Sequence, residues 1–153
     1  MGYRLPPVTT VEKAVRRVLA REGGAGSLVE LHREVERVLR SEEPAYRLGV
    51  ARLRRIVSRM NAVTTTIRAR RGGPKAPKRE CPVCGAAMES LRNRTLDGAV
   101  VEVDVRCTAC PYWTGRDRRV PARYGFHLRR WRFAEGASRP RSVDRSTRRR
   151  KRL

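Results

Sequence analysis

The chain has 153 residues and a formal net charge of +22, from 37 Lys and Arg against 15 Asp and Glu. Charge of that size informs about partners rather than fold, and nucleic acid is the obvious counter-charge, because each neutralised phosphate releases condensed counterions. No run approaches the roughly 18 apolar residues that span a bilayer, and the opening Met-Gly-Tyr-Arg-Leu-Pro-Pro lacks the apolar centre of a signal peptide, so a membrane partner is not expected and the chain reads as intracellular, soluble or held in a larger particle.

The charge is uneven. Residues 1–60 carry a net +6, 61–80 carry +5, 81–117 carry −1 and 118–153 carry +12. The single near-neutral block holds all four cysteines. Basic residues are 33 Arg and 4 Lys. Arg has a planar fork that pairs bidentately with phosphate and stacks on bases, although a GC-rich coding sequence explains the bias equally well. Gln is absent and Asn occurs only at positions 61 and 93, a scarcity of thermolabile amides that points to a thermophile. The length suits one ordinary domain or two very small ones. A unit below about 80 residues rarely holds together without a metal or disulfide, which gives the cysteines a structural part.

The pattern predicts a helix over 9–22. Thr9 and Glu12 match a capping box, Val11, Val15, Val18 and Leu19 make one apolar face, and Gly23-Gly24 stops it. A second box at Ser27 and Glu30 opens a helix with Leu28, Leu31, Val35, Val38 and Leu39 at helical spacing, ending before Pro44. A third helix is predicted from about Gly49 to Met60, with Val50, Leu53, Val57 and Met60 inward and Arg52, Arg55 and Arg59 on the opposite face. Val63 to Arg70 alternates and is rich in β-branched residues, as a strand is.

Three short helices and a strand resemble the winged-helix branch of the helix-turn-helix class over residues 8–71. In that family the third helix enters the DNA major groove, and Arg52, Arg55 and Arg59 would occupy its exposed face. A complete wing needs a second strand, whereas Arg71-Gly-Gly-Pro-Lys-Ala-Pro-Lys reads as linker. The module therefore serves DNA reading or, equally, docking on RNA or protein.

Cys81-Pro-Val-Cys84-Gly and Cys107-Thr-Ala-Cys110-Pro are two C-x-x-C hooks with 22 residues between them. Two hooks supply the tetrahedral four-sulfur set that structural Zn2+ prefers. Between them, Asp97-Gly98 is a two-residue hairpin signal, and Val101, Val103 and Val105 alternate with Glu102 and Asp104 to give one buried face. The arrangement resembles a zinc ribbon, which implies Cys81, Cys84, Cys107 and Cys110 as ligands. A redox pair wants one hook in a strand-to-helix context, disulfides are uncommon in the cytosol outside hyperthermophiles, and four closed thiolates leave no open catalytic position. His32 and His127 read as packing or phosphate-facing. Tyr112 and Trp113 read as a roof over the metal, with base stacking as the alternative.

Residues 118–133 interleave Tyr124, Phe126, Trp131 and Phe133 with arginines, as a base-stacking surface or as the missing core of the C-terminal half. From Gly136 on, Ser, Arg and Pro dominate, a composition that does not bury enough to fold alone.

The expected fold class is α+β. A small three-helix, winged-helix-like module (8–71) and a linker (72–79) precede a zinc ribbon β-hairpin (80–117) and a basic Arg-rich extension (118–153). Two small modules with a cationic arm resemble ribosomal proteins of the archaeal type. That resemblance implies a structural, non-enzymatic constituent of the cytoplasmic ribosome, partnered by rRNA and neighbouring ribosomal proteins, with no small-molecule substrate. Phosphate contacts would come from Arg52, Arg55, Arg59, Arg68, Arg70, Arg71, Arg118, Arg119, Arg123, Arg129, Arg130, Arg132, Arg148, Arg149, Arg150, Lys151 and Arg152. The alternative is a winged-helix/zinc-ribbon transcription regulator that reads DNA. An enzyme is not expected, because paired carboxylates at metal spacing, a Gly-rich phosphate loop and a Ser/His/Asp set are all missing from the sequence.

Overall fold

The structure, a computed structural model, describes residues 2–72, 79–115 and 117–129. The expected roles of Trp131, Phe133, Arg130, Arg132, Arg148, Arg149, Arg150, Lys151 and Arg152 lie outside the described residues, as does most of the 72–79 linker. The fold is α+β, with three helices followed by antiparallel strands.

Helix α1 spans Val8–Glu22 and buries Val11, Ala14, Val15, Val18 and Leu19. Its N-cap is Pro7 with no side-chain cap bond, so the Thr9–Glu12 box is not used. The proline ring fixes φ and moves the N-cap two residues earlier, from Thr9 to Pro7, leaving Thr9 inside the first turn. Gly23 ends α1 at φ 75°, a left-handed conformation that glycine adopts without Cβ strain.

Helix α2 (Leu28–Glu42) is capped as the sequence predicts: Ser27 Oγ accepts from Glu30 N at 3.1 Å. The Glu30 carboxylate reaches one residue further back than the usual box and accepts from Gly26 N at 3.0 Å. Helix α3 is shorter than expected, Val50–Val57. Arg59 N and Met60 N bond to Ile56 O and Val57 O, three residues back, so the chain tightens and leaves the helix there. Leu53, Val57 and Met60 are buried as expected, but Val50, in the first turn, is 40% exposed.

Strand β1 (Val63–Arg71) finds its partner far along the chain. The ribbon follows as β2 (Met88–Arg94), β3 (Val100–Cys107) and β4 (Trp113–Thr114), and then β5 (Arg119–Leu128) pairs antiparallel with β1 from Val63↔Leu128 to Arg71↔Arg119. Ala25, between α1 and α2, exchanges two backbone bonds with Phe126 at 2.8 and 2.9 Å on the other edge of β5. Helix, bridging residue, two helices and two strands make a complete winged-helix-like arrangement. The second strand that a complete wing needs is thus supplied by residues 119–128, and the ribbon occupies the place of the wing's loop. The extension assigned to 118–153 accordingly begins as sheet. A bulge between Arg68 and Ala69 accommodates Pro121, which has no N–H for the ladder.

The pleat gives this two-stranded sheet two faces. Inward, Val63, Thr65 and Phe126 cover the helices, and Phe126 is 2% exposed in the helical core. Further along the same face, Ile67 and Tyr124 pack against the cysteines. Tyr124 and Phe126 stack with ring centroids 6.2 Å apart, joining the two cores. For these two aromatics, packing rather than a base-stacking surface is the outcome.

The ribbon sheet has order β2-β3-β4. Its hairpin turns through Leu96-Asp97-Gly98, closed by Thr95 N to Ala99 O at 2.8 Å and Gly98 N to Thr95 O at 3.0 Å. The loop therefore has three residues, not the two expected from Asp97-Gly98, and Gly98 takes φ 87° at its end. The predicted buried valine face also fails. Ser90 pairs with Val105 and Asn93 with Val101, with a register shift between Leu91 and Arg92. Ser90 and Asn93 lie on opposite faces of β2, so Val105 and Val101 do too. Only Val105 is buried, while Val101 and Val103 are 42% and 44% exposed.

Candidate metal centre

Each cysteine hook is a tight turn held by its own backbone. In the first, Gly85 N donates to Cys81 O at 2.8 Å, and Gly85 takes φ 73° to bring the chain round. Cys81 N then donates to Ala86 O at 2.8 Å. In the second, Cys107 N donates to Tyr112 O at 2.9 Å. The folding of β2 on β3 brings the hooks face to face, as Met88↔Cys107 pairing requires.

The four sulfurs lie within 4.8 Å of one another. Cys81 Sγ stands 3.6 Å from Cys110 Sγ and Cys84 Sγ 3.4 Å from Cys107 Sγ, and all four cysteines are free rather than disulfide-bonded. A tetrahedral ion with Zn–S bonds of about 2.3 Å needs S–S edges of about 3.8 Å. The donor set therefore fits a closed four-thiolate metal site, as the ribbon resemblance implies, and zinc suits it. Val83 N donates to Cys81 Sγ and Ala109 N to Cys107 Sγ, both at 3.4 Å, which orients the ligands from behind.

The electrostatics ask for a cation. The Cys110 thiol, with the backbone N–H groups of Cys84 and Val83, holds Cys81 down at about 5. The charge so created, hydrogen-bonded beside it, pushes Cys110 up, and burial adds to the rise. Burial is also the main cause raising Cys107. Four neighbouring thiols do not all ionise together unless a positive ion joins them.

Tyr112 is buried beside Cys81, Val83 and Cys84, and its hydroxyl donates to Arg119 O at 2.5 Å. It roofs the site. Trp113 is not a roof: it is 44% exposed, with the Arg119 guanidinium 4.0 Å above its ring. His32 Nε2 lies 2.5 Å from Leu48 O, a packing role, and His127 stands exposed on β5.

The candidate nucleic-acid contacts separate into groups. The arginines of α3 and of the turn that follows it do not form a wholly open face. Arg52 donates to Pro6 O at 2.9 Å, Arg59 Nη2 to Cys84 O at 2.7 Å, and Arg54 Nε, near that face but not among the expected phosphate contacts, to Val83 O at 3.1 Å. Arg55 stays exposed, and Arg59, although hydrogen-bonded to the hook, is exposed too, while Arg52 and Arg54 are half-buried. No sequence signal identified Arg54 and Arg59 as a clamp, because their acceptors are backbone carbonyls of a distant segment. On the wing, Arg68, Arg70 and Arg123 are exposed on the face away from the helices. Arg71 pairs with Asp117, Arg118 and Arg119 are half-buried beside the ribbon, and Arg129 is exposed past the end of β5.

No helix among the described residues is long and apolar enough to cross a membrane. Comparison of the chain with family models, with curated proteins and with solved structures returns no match.

Proposed function

We propose that this protein is a structural RNA-binding component of the ribosome, a metal-stapled winged-helix module that presents arginines to rRNA phosphates and is held beside neighbouring ribosomal proteins. The observation that carries the reading is the fate of the third helix. In a winged-helix DNA reader that helix's polar face must be free to enter a major groove. Here Arg54 and Arg59 are hydrogen-bonded to the first cysteine hook and Arg52 to Pro6. The remaining positive charge is spread over the wing and the chain ends, which suits a polyanion followed along its backbone rather than one operator read by one helix.

The metal staples the ribbon and the arginines carry the contact; no step of reaction chemistry enters this reading. A cytoplasmic, ribosome-bound location follows from it.

Sedimentation of cell lysate on a sucrose gradient at physiological salt is the test. Migration with a ribosomal subunit, lost after ribonuclease, is expected. Protein that stays at the top of the gradient overturns the ribosomal assignment. The second reading, a DNA regulator, draws on the completed wing and the exposed Arg55; selection of one duplex sequence from a random pool, abolished by Arg55→Ala, would establish it instead.

A further inference from the structure

Arg68 and Arg123 face each other directly across the β1–β5 ladder. Both are exposed, and among the described residues neither has a carboxylate within ion-pair distance. Like charges at directly opposed positions destabilise a sheet. An anion bound between the two side chains would relieve that repulsion, and both arginines line the same cavity.

The two arginines flank a shallow cavity of about 250 Å³, lined also by Gly26, Thr66, Tyr124 and Gly125. Two of those residues, Gly26 and Gly125, lack side chains, which leaves the backbone open to close approach by a ligand. A Cβ on Gly125 would sit 2.5 Å from Thr66 Oγ1 and would displace that hydroxyl. Thr66 Oγ1 donates to Gly125 O at 3.2 Å, which fixes the wall. The Glu30 carboxylate already takes the Gly26 N–H, so the start of α2 offers nothing, and the positive charge comes from the two guanidinium groups.

We infer that the outer face of the wing carries a seat for one phosphate group of a nucleic-acid backbone, held between Arg68 and Arg123. The inference rests on the RNA-binding reading but locates it at two residues outside the metal centre. Paired guanidinium forks bind a tetrahedral oxyanion through charge-assisted bonds, and the repulsion between them is relieved when it binds.

The test uses the full-length, metal-loaded protein and two probes. Inorganic phosphate is titrated first, with the Arg Nε–Hε signals followed by NMR; selective shifts at Arg68 and Arg123 are expected, and uniform shifts over all exposed arginines overturn the seat. A single-stranded oligouridylate is the second probe. R68A/R123A is expected to weaken binding about tenfold and to reduce the salt slope by about 0.7, one phosphate's share. R92A/R94A removes the same charge from the exposed hairpin and is expected to leave the slope nearly unchanged. Equal losses in the two double variants overturn the seat while leaving RNA binding intact. A wild-type protein that ignores the oligonucleotide overturns the RNA reading as well. Both variants alter exposed side chains, and R68A/R123A is expected to melt no lower than the wild type.

Discussion

Arg59, just past the end of the third helix, donates from Nη2 to the carbonyl oxygen of Cys84 at 2.7 Å. With Arg54 on Val83 O at 3.1 Å, it ties the helical module to the loop that carries two of the four sulfurs. A metal held by those sulfurs would brace that loop, and the seating of these arginines would then be coupled to metal binding.

Arg54→Ala and Arg59→Ala each remove a charged donor from a backbone carbonyl. Bonds to charged groups contribute about 1.5–3 kcal/mol, and both sites are partly open to water, so a loss of about 1 kcal/mol each is expected. The double variant is expected to surrender its metal faster to a chelator, read by a colorimetric competitor. An unchanged release rate would show that the clamp holds nothing.

Chelation, or Cys81→Ser, is expected to unfold residues 79–115. Structural zinc contributes roughly 10 kcal/mol or more to small modules of this kind. The helical core of Val11, Val15, Leu31, Leu53 and Phe126 contains no cysteine, so helix signals in an amide spectrum are expected to survive while ribbon signals collapse. A spectrum unaltered throughout would remove the metal from the account.

Metal affinity is expected to fall as pH falls. Cys107 and Cys110 are raised above the ordinary thiol value in the metal-free site, so at neutral pH they are protonated and each must release a proton on binding. Cys81, held at about 5, is already a thiolate there and releases none until the solution approaches that value. Lower pH thus opposes binding by mass action, with at least two protons per ion from these two residues near pH 7. Calorimetry in buffers of different ionisation enthalpy counts the protons; a count of zero contradicts the assignment.

Phe126→Ala is expected to cost about 3–5 kcal/mol, because its ring is 2% exposed among helical side chains. Truncation after residue 117 removes all of β5 and is expected to leave the helices without a stable fold, despite lying beyond the ribbon. Circular dichroism during thermal melting checks both. A truncated chain that melts like the full protein would mean that residues 8–71 are self-sufficient.

Helix faces were legible because periodicity is local. Val11, Val15, Val18, Leu31, Val35 and Leu39 all enter the core, and Ser27 caps as its spacing suggests. The cysteine spacing was equally direct, since two hooks around a hairpin have few ways to meet. What misled was also local: a capping pattern at Thr9 overridden by Pro7, and a valine alternation at 101–105 shifted by one bulged residue.

Sequence alone determined that the chain is strongly cationic, that it holds three amphipathic helices and that four thiols converge in a ribbon. Those properties reside in composition and in spacings of a few residues. Only the tertiary structure decided that β5 closes the wing begun by β1, that the ribbon replaces the wing's loop, and that Arg54 and Arg59 serve the ribbon. The physical reason is that strand pairing and arginine-to-carbonyl bonds join segments distant along the chain, and backbone carbonyls look the same in every sequence.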